Sequence, residues 1–152
     1  QGALIALHPN LLSKLIGKLC HWLDTTAADS ADKKDNQTTP ILKRQAINVM
    51  AQSQARVEKA RSKVEPVPQQ SESLNLSPQK LHLKLHDTGY LELQFEDSVK
   101  EITAIILMQK QIIRQWLDIL CRHWTEAGWD TSVWPDWLAK TGLTPSEPNA
   151  LH

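Results

Sequence analysis

KLHLKLHDTGYLELQFED, residues 80–97, alternates apolar and polar side chains on both sides of a turn that contains one glycine. Leu81, Leu83 and Leu85 alternate with His82, Lys84 and His86; Leu91, Leu93 and Phe95 then alternate with Tyr90, Glu92 and Gln94. A period of two marks a strand with one buried face, so this stretch predicts a β-hairpin. A loop of Asp87, Thr88 and Gly89 puts glycine where a three-residue hairpin loop needs a left-handed backbone. The register follows. Leu85 faces Leu91, Leu83 faces Leu93 and Leu81 faces Phe95, while Lys84 meets Glu92, Lys80 meets Glu96 and His86 meets Tyr90 on the other side. A slip of one residue would set leucine against glutamate, so the pairing is well specified.

Downstream, Ser98 and Glu101 have the spacing of a capping box. Ala127-Gly128-Trp129 has the form of a Schellman stop, with Trp129 able to fold back on Trp124. Between them Ile102, Ile105, Ile106, Ile112, Ile113, Trp116, Leu117, Ile119, Leu120 and Trp124 fall within an arc of about 160° on a helical wheel. This predicts one long amphipathic helix directly after the hairpin. Lys110, Arg114, Asp118, Arg122 and Glu126 are successive i,i+4 neighbours, expected on its solvated side. A short helix over 133–140, closed by Gly142, comes next, and the Pro-containing tail 143–152 is expected to be loose.

Upstream, Pro9 suits a helix start. Leu11, Leu12, Leu15, Ile16, Leu19, Trp22 and Leu23 share one face of a helix predicted over 9–23. Residues 3–7 are apolar and either extend this helix or pack separately. Residues 25–38 (TTAADSADKKDNQT) hold no large apolar side chain and read as a flexible linker. Thr39-Pro40 reads as N-cap and first residue of a second helix that runs to about residue 64. Its apolar row, Leu42, Ala46, Val49, Val57, Ala60 and Val64 with Ser53, has mostly three- and four-residue spacings. So narrow a row suits a seam that meets a single partner helix. Residues 66–79 (PVPQQSESLNLSPQ) read as a second linker.

The expected organisation is therefore an N-terminal amphipathic helix in 1–24, a linker in 25–38 and a basic helix with a narrow seam in 39–65. A linker in 66–79 follows, then the hairpin, long helix and short Trp-rich helix in 80–142, and the tail in 143–152. The expected fold class is α+β, mostly helical, with one antiparallel β-hairpin packed on a long amphipathic helix and additional helices around it. A lone hairpin cannot cover so wide a helical face, and two strands are marginal by themselves. Another element or another copy is expected to complete the cover, and hairpin edges of two copies could pair into a longer sheet.

Composition narrows the function classes. The chain has 152 residues, 41% hydrophobic and 22% charged, as expected of one folded domain. Seventeen basic residues balance seventeen acidic ones, so no global field attracts nucleic acid or an anionic membrane. No apolar run reaches the roughly 18 residues of a membrane span. The first helix has the outline of one that lies on a membrane surface, but its polar face carries little charge, so that contact is not expected. Two Cys without a CxxC motif are expected to be reduced thiols in a cytoplasmic protein. The first residue is Gln1 rather than Met, as in a processed chain or a fragment of a longer one.

No pattern carries an obvious chemistry. Cys20-His21 and Cys121-x-His123 offer four zinc-type ligands, yet helix geometry splays each pair by about 100° or more, so no metal is expected. His82 and His86 stand roughly 13 Å apart along a strand, too far for one ion. Five glycines leave little material for a phosphate-cradling loop, and there is no nucleophile motif. Glu96-Asp97 falls at the expected helix start, where the dipole accounts for it. Gln109 and His123 fall near the middle of the expected apolar arc and need partners there.

The leading expectation is a non-enzymatic interaction module, an adaptor, assembly or regulatory subunit, binding a protein partner or itself and using no cofactor. Gln109, Trp116, His123, Trp124, Trp129, Trp134 and Trp137 are its candidate partner-binding residues, although Trp134 and Trp137 could instead fold back to cap the long helix. Two alternatives stand beside it. One is nucleic-acid binding through Lys43, Arg44, Arg56, Lys59, Arg61 and Lys63, and the other is a small-molecule or enzymatic pocket near His123 and Gln109.

Overall fold

A computed structural model describes residues 3–31, 40–63 and 74–142. Among the described residues the fold is mixed α+β and mostly helical, with four helices and a three-stranded antiparallel sheet. In chain order the elements are β1 (Ala3–Ile5), α1 (Pro9–Ala31), α2 (Pro40–Arg61), β2 (Leu74–Leu76), β3 (Lys80–Leu85), β4 (Leu91–Asp97) and β5 (Ile102–Met108). They continue with α3 (Lys110–Glu126), a 3-10 turn (Thr131–Val133) and α4 (Asp136–Gly142). They form two compact units, one from the described parts of 1–15 and 62–110, the other from those of 16–61 and 111–152. The change from one unit to the other falls between Lys110 and Gln111, at the start of α3.

The first unit is built on the hairpin. Its register is the one derived from alternation, with Leu85 opposite Leu91, Leu83 opposite Leu93, Leu81 opposite Phe95 and Lys80 opposite Glu96. Gly89 takes the left-handed conformation at φ +81, and the His86 amide donates to the Tyr90 carbonyl at 2.9 Å to close the loop. Leu91, Leu93 and Phe95 are buried. On the opposite face Lys80 pairs with Glu96 at 3.0 Å and His86 with Glu92 at 2.6 Å. Contacts with Gln94 and His86 hold the Glu92 carboxyl below its usual range.

The long helix does not begin at Ser98. Residues 102–108, ITAIILM, form β5, antiparallel to β4, with Leu93 opposite Ile106 and Phe95 opposite Ala104. Ile and Thr are stiff at χ1 and fit a pleated surface better than a helix. A continuous apolar run satisfies three- and four-residue spacing as readily as strand pairing, so the wheel could not separate the two. The capping-box reading fails at Glu101, whose φ of +55 is not helical. Asp97 supplies the turn instead. Its carboxylate accepts from the amides of Val99 and Lys100 at 3.1 Å and from the Ser77 amide at 3.0 Å. It thereby ties the β4–β5 turn to the segment before β3.

Two expected linkers are partly ordered. α1 continues past residue 23 through Ala31; the Thr25 and Thr26 hydroxyls bond to the Trp22 carbonyl behind them, and Ala27 is buried. Leu74–Leu76 forms β2, parallel to β1, with Leu76 buried. The expected N-cap Thr39 and the tail 143–152 lie outside the described residues, as does most of the remainder of both linkers.

The amide bonds to Asp97 hold its carboxyl below the usual range. Its contribution to stability is therefore present above the unfolded-state value of about 3.9 and is lost as pH falls through the lower folded value. Asp97→Asn is expected to lower the melting temperature at neutral pH. The gap from the parent should begin to shrink below about pH 4, where the unfolded-state carboxyl takes up its proton, and close as pH falls through the lower folded value, where the native carboxyl is itself protonated. Thermal melts followed by circular dichroism across a pH series measure this.

Candidate partner-binding surface

The second unit is organised by how α2 is turned. Helices bury their apolar rows by default, yet α2 buries Asn48, Gln52 and Ala55. The row read as a seam lies about 130° around the helix from them at 100° per residue. It faces outward. Leu42, Ala46, Val49, Ser53, Val57 and Ala60 are all exposed, Leu42 by 59% and Val57 by 48%. Met50 lies exposed beside them.

The reason is on α3. Its buried residues are Ile113, Arg114, Leu117, Asp118, Cys121 and Trp124. Arg114 and Asp118, expected in solvent, retain only 6% and 3% exposure. Conversely Ile112 and Ile119, expected inside, are exposed. The Arg114 guanidinium donates to Asn48 Oδ1 at 2.8 Å, and Asn48 Nδ2 donates to Asp24 of α1 at 2.8 Å. Gln52 donates to the Arg114 carbonyl at 3.0 Å, and Gln115 to the Ala55 carbonyl at 3.1 Å. Arg56 grips Asp118 at 2.5–2.6 Å, and Gln111 reaches Glu58. Buried polar groups destabilise a fold unless they are hydrogen-bonded. Once α3 buries Arg114 and Asp118, α2 must turn its polar side toward them, and its apolar row is left outside.

Burial lowers the Arg114 pKa to about 10, so it remains a cation at neutral pH. The Trp137 ring, 5.3 Å from its central carbon, supplies a further favourable surface. Burial, reinforced by neighbouring Cys121, raises the Cys20 thiol to about 12. Cys121 is raised too, by burial and then by Asp118. Two such thiols are poor nucleophiles. Both are free and buried.

The six cations of the basic helix do not form one patch. Arg56 is committed to Asp118, and Lys43, Arg44 and Lys59 are half-buried; Arg61 and Lys63 are exposed near the C-terminal end. Three of the Trp residues, Trp124, Trp129 and Trp134, close on one another. Gly128 at φ +72 ends α3 with the expected bonds, Gly128 to the Thr125 carbonyl and Trp129 to the Trp124 carbonyl. Trp129 and Trp134 meet Trp124 edge-to-face at 4.8 and 5.9 Å, and Trp124 Nε1 donates to the Asp130 carbonyl at 2.8 Å. Trp124, Trp134 and Trp137 are buried, Trp116 is half-buried and Trp129 is exposed.

Gln109 and His123 are not core groups. Gln109 precedes α3, is exposed and donates to the Tyr90 hydroxyl at 2.6 Å; His123 is exposed and lies 3.3 Å from Glu126. A cavity of about 360 Å³ lies between α3 and the following segment, lined by Cys121, Thr125 and Trp134 among others, and His123 does not line it. No group of three or more metal-type ligands occurs among the described residues, nor any helix long and apolar enough to cross a membrane.

The residues missed by sequence reasoning are Asp24, Asn48 and Gln52. A signal for two of them existed. Asn48, Gln52 and Arg56 form one i,i+4 row, and Arg114 and Asp118 form another; two polar rows of equal pitch can zip together. No family model, curated protein or solved structure matches the chain.

Asn48→Ala strips Arg114 and Asp24 of their shared partner. The expected loss is about 1–3 kcal/mol, the cost of leaving a buried polar group unsatisfied, read from urea unfolding by Trp fluorescence. The two thiols are expected to resist an aromatic disulfide reagent at pH 8 in the native protein and to react fully once urea unfolds it.

Proposed function

We propose that the chain is a non-enzymatic protein-interaction module whose docking surface is the outward row of α2. One observation carries the reading: α2 spends its polar side inside the molecule and exposes Leu42, Ala46, Val49, Ser53, Val57 and Ala60 in a row. Apolar groups at alternating three- and four-residue spacings are what a partner helix packs into. Ala46, Ser53 and Ala60, seven apart, let its backbone approach closely. A helical segment of a protein partner is therefore the occupant expected, in the manner of a helix laid into an apolar groove.

Two further observations favour this reading over an enzyme. The buried thiols are raised away from reactivity, and the carboxylate beside His123 is that of Glu126, exposed like His123 itself. Nucleic-acid binding through α2 is less favoured, because Arg56 is held by Asp118 and the other cations are spread around the helix.

The test is a pair of exposed substitutions, Leu42→Glu and Val57→Glu, compared with Ile112→Glu, an exposed apolar site on α3. All three should keep the parent circular dichroism spectrum. Capture of a specific protein from a lysate of the source cells should fall at least tenfold in the α2 variants and persist in Ile112→Glu. Equal capture by all four proteins would remove α2 as the docking surface.

A further inference from the structure

The sheet of the first unit has two outer strands, β3 and β5, each paired on one side only among the described residues. An open edge is a template for another strand, and proteins guard edges with charge, lysine above all. β3 is guarded in this way, for Lys80, His82 and Lys84 project from it. β5 is not: its seven residues, ITAIILM, include no charged side chain.

The faces of the sheet sharpen the contrast. Across its polar face, cross-strand rows run Lys84–Glu92–Leu107, His82–Gln94–Ile105 and Lys80–Glu96–Thr103. The face is polar on β3 and β4 and turns apolar at β5. There Ile105 and Leu107 are 58% and 59% exposed, and Ile106 on the other face is also exposed at the rim. An uncharged edge, apolar on both faces, matches an uncharged strand that is apolar on both faces.

We propose that this strand is β5 of a second copy, paired antiparallel about a two-fold axis through Ile105, so that two three-stranded sheets become one of six strands. A two-fold axis perpendicular to the sheet keeps each residue on its own face, so only registers that shift by two residues are open to it. With Ile105 on the axis all seven residues pair. Ile105 meets its own counterpart, Ala104 meets Ile106, Thr103 meets Leu107 and Ile102 meets Met108. Small side chains fall opposite large ones, and no charge enters the seam. A shift one way sets Ile102 against Lys110, and a shift the other way sets Lys100 against Met108. Either costs two pairs and brings a charge against an apolar side chain. A foreign strand would have to match this pattern independently, whereas the chain matches itself.

This inference does not rest on α2, which belongs to the other unit. A single strand pair falls below the roughly 1,200–2,000 Å² of a standard interface, so the dimer is expected to be concentration-dependent. Sedimentation velocity of the full chain over a wide micromolar range should show the mass rising from one chain toward two. Ile105→Lys, which sets two like charges against each other on the axis, should stay monomeric at every concentration with an unchanged circular dichroism spectrum. Lys84→Ser on the opposite edge and Leu42→Glu on α2 should leave the dimer intact. Because Cys20 and Cys121 are buried, Ile105→Cys provides a second reading: mild oxidation should give a covalent dimer whose cross-linked peptide is 105 joined to 105. A monomer throughout the range, or a dimer that Ile105→Lys leaves unchanged, overturns the proposal. A monomer that loses a captured protein on Ile105→Lys also overturns it, and assigns the edge to a foreign strand instead.

Discussion

The guanidinium of Arg114, buried on α3 and bonded to Asn48 of α2, governs the helical unit. A buried cation without partners is costly enough to dictate what surrounds it. Here the guanidinium donates to Asn48 of α2, itself bonded to Asp24 of α1, and lies against the Trp137 ring of α4, while the Gln52 amide donates to the Arg114 backbone carbonyl. One turn further along α3, Asp118 makes the same demand and is met by Arg56. Four helices thus converge on one polar seam.

That seam has a consequence for the surface. A helix has one orientation about its axis, and α2 cannot turn Asn48 and Gln52 inward without turning Leu42, Val49 and Val57 outward. The exposed apolar row follows from the internal hydrogen bonding rather than from a defect of packing. Polar pairing also fixes the register of α2 more sharply than apolar contact would, since a shift of one turn would strand a charge. The docking surface proposed on α2 would therefore be pre-organised, which would lower the ordering cost of binding.

Local alternation was the most legible feature of the sequence. The β3–β4 register, the left-handed Gly89 and the Gly128 stop each depend on residues close together in the chain, and each is found as read. The Trp129–Trp124 contact belongs with them, because it follows from the geometry of the stop. Apolar runs were the least legible. ITAIILM satisfies a helical wheel and a strand equally, and the presence of β4 with an open edge decided for the strand. Asp97 changed role with it, from a helix-start carboxylate to the cap of a tight turn.

By itself the sequence determined what short range can determine: hairpin register, turn chemistry, a helix stop and the existence of a narrow row on α2. Which way that row faces was decided only in the tertiary structure. The wheel assigns Arg114 and Asp118 to solvent because charge prefers water. The fold buries them because Asn48 and Arg56, over sixty residues away in the chain, supply the bonds that water would otherwise make. Hydrogen-bond satisfaction is a property of pairs brought together by folding, and no periodicity within one helix can report it.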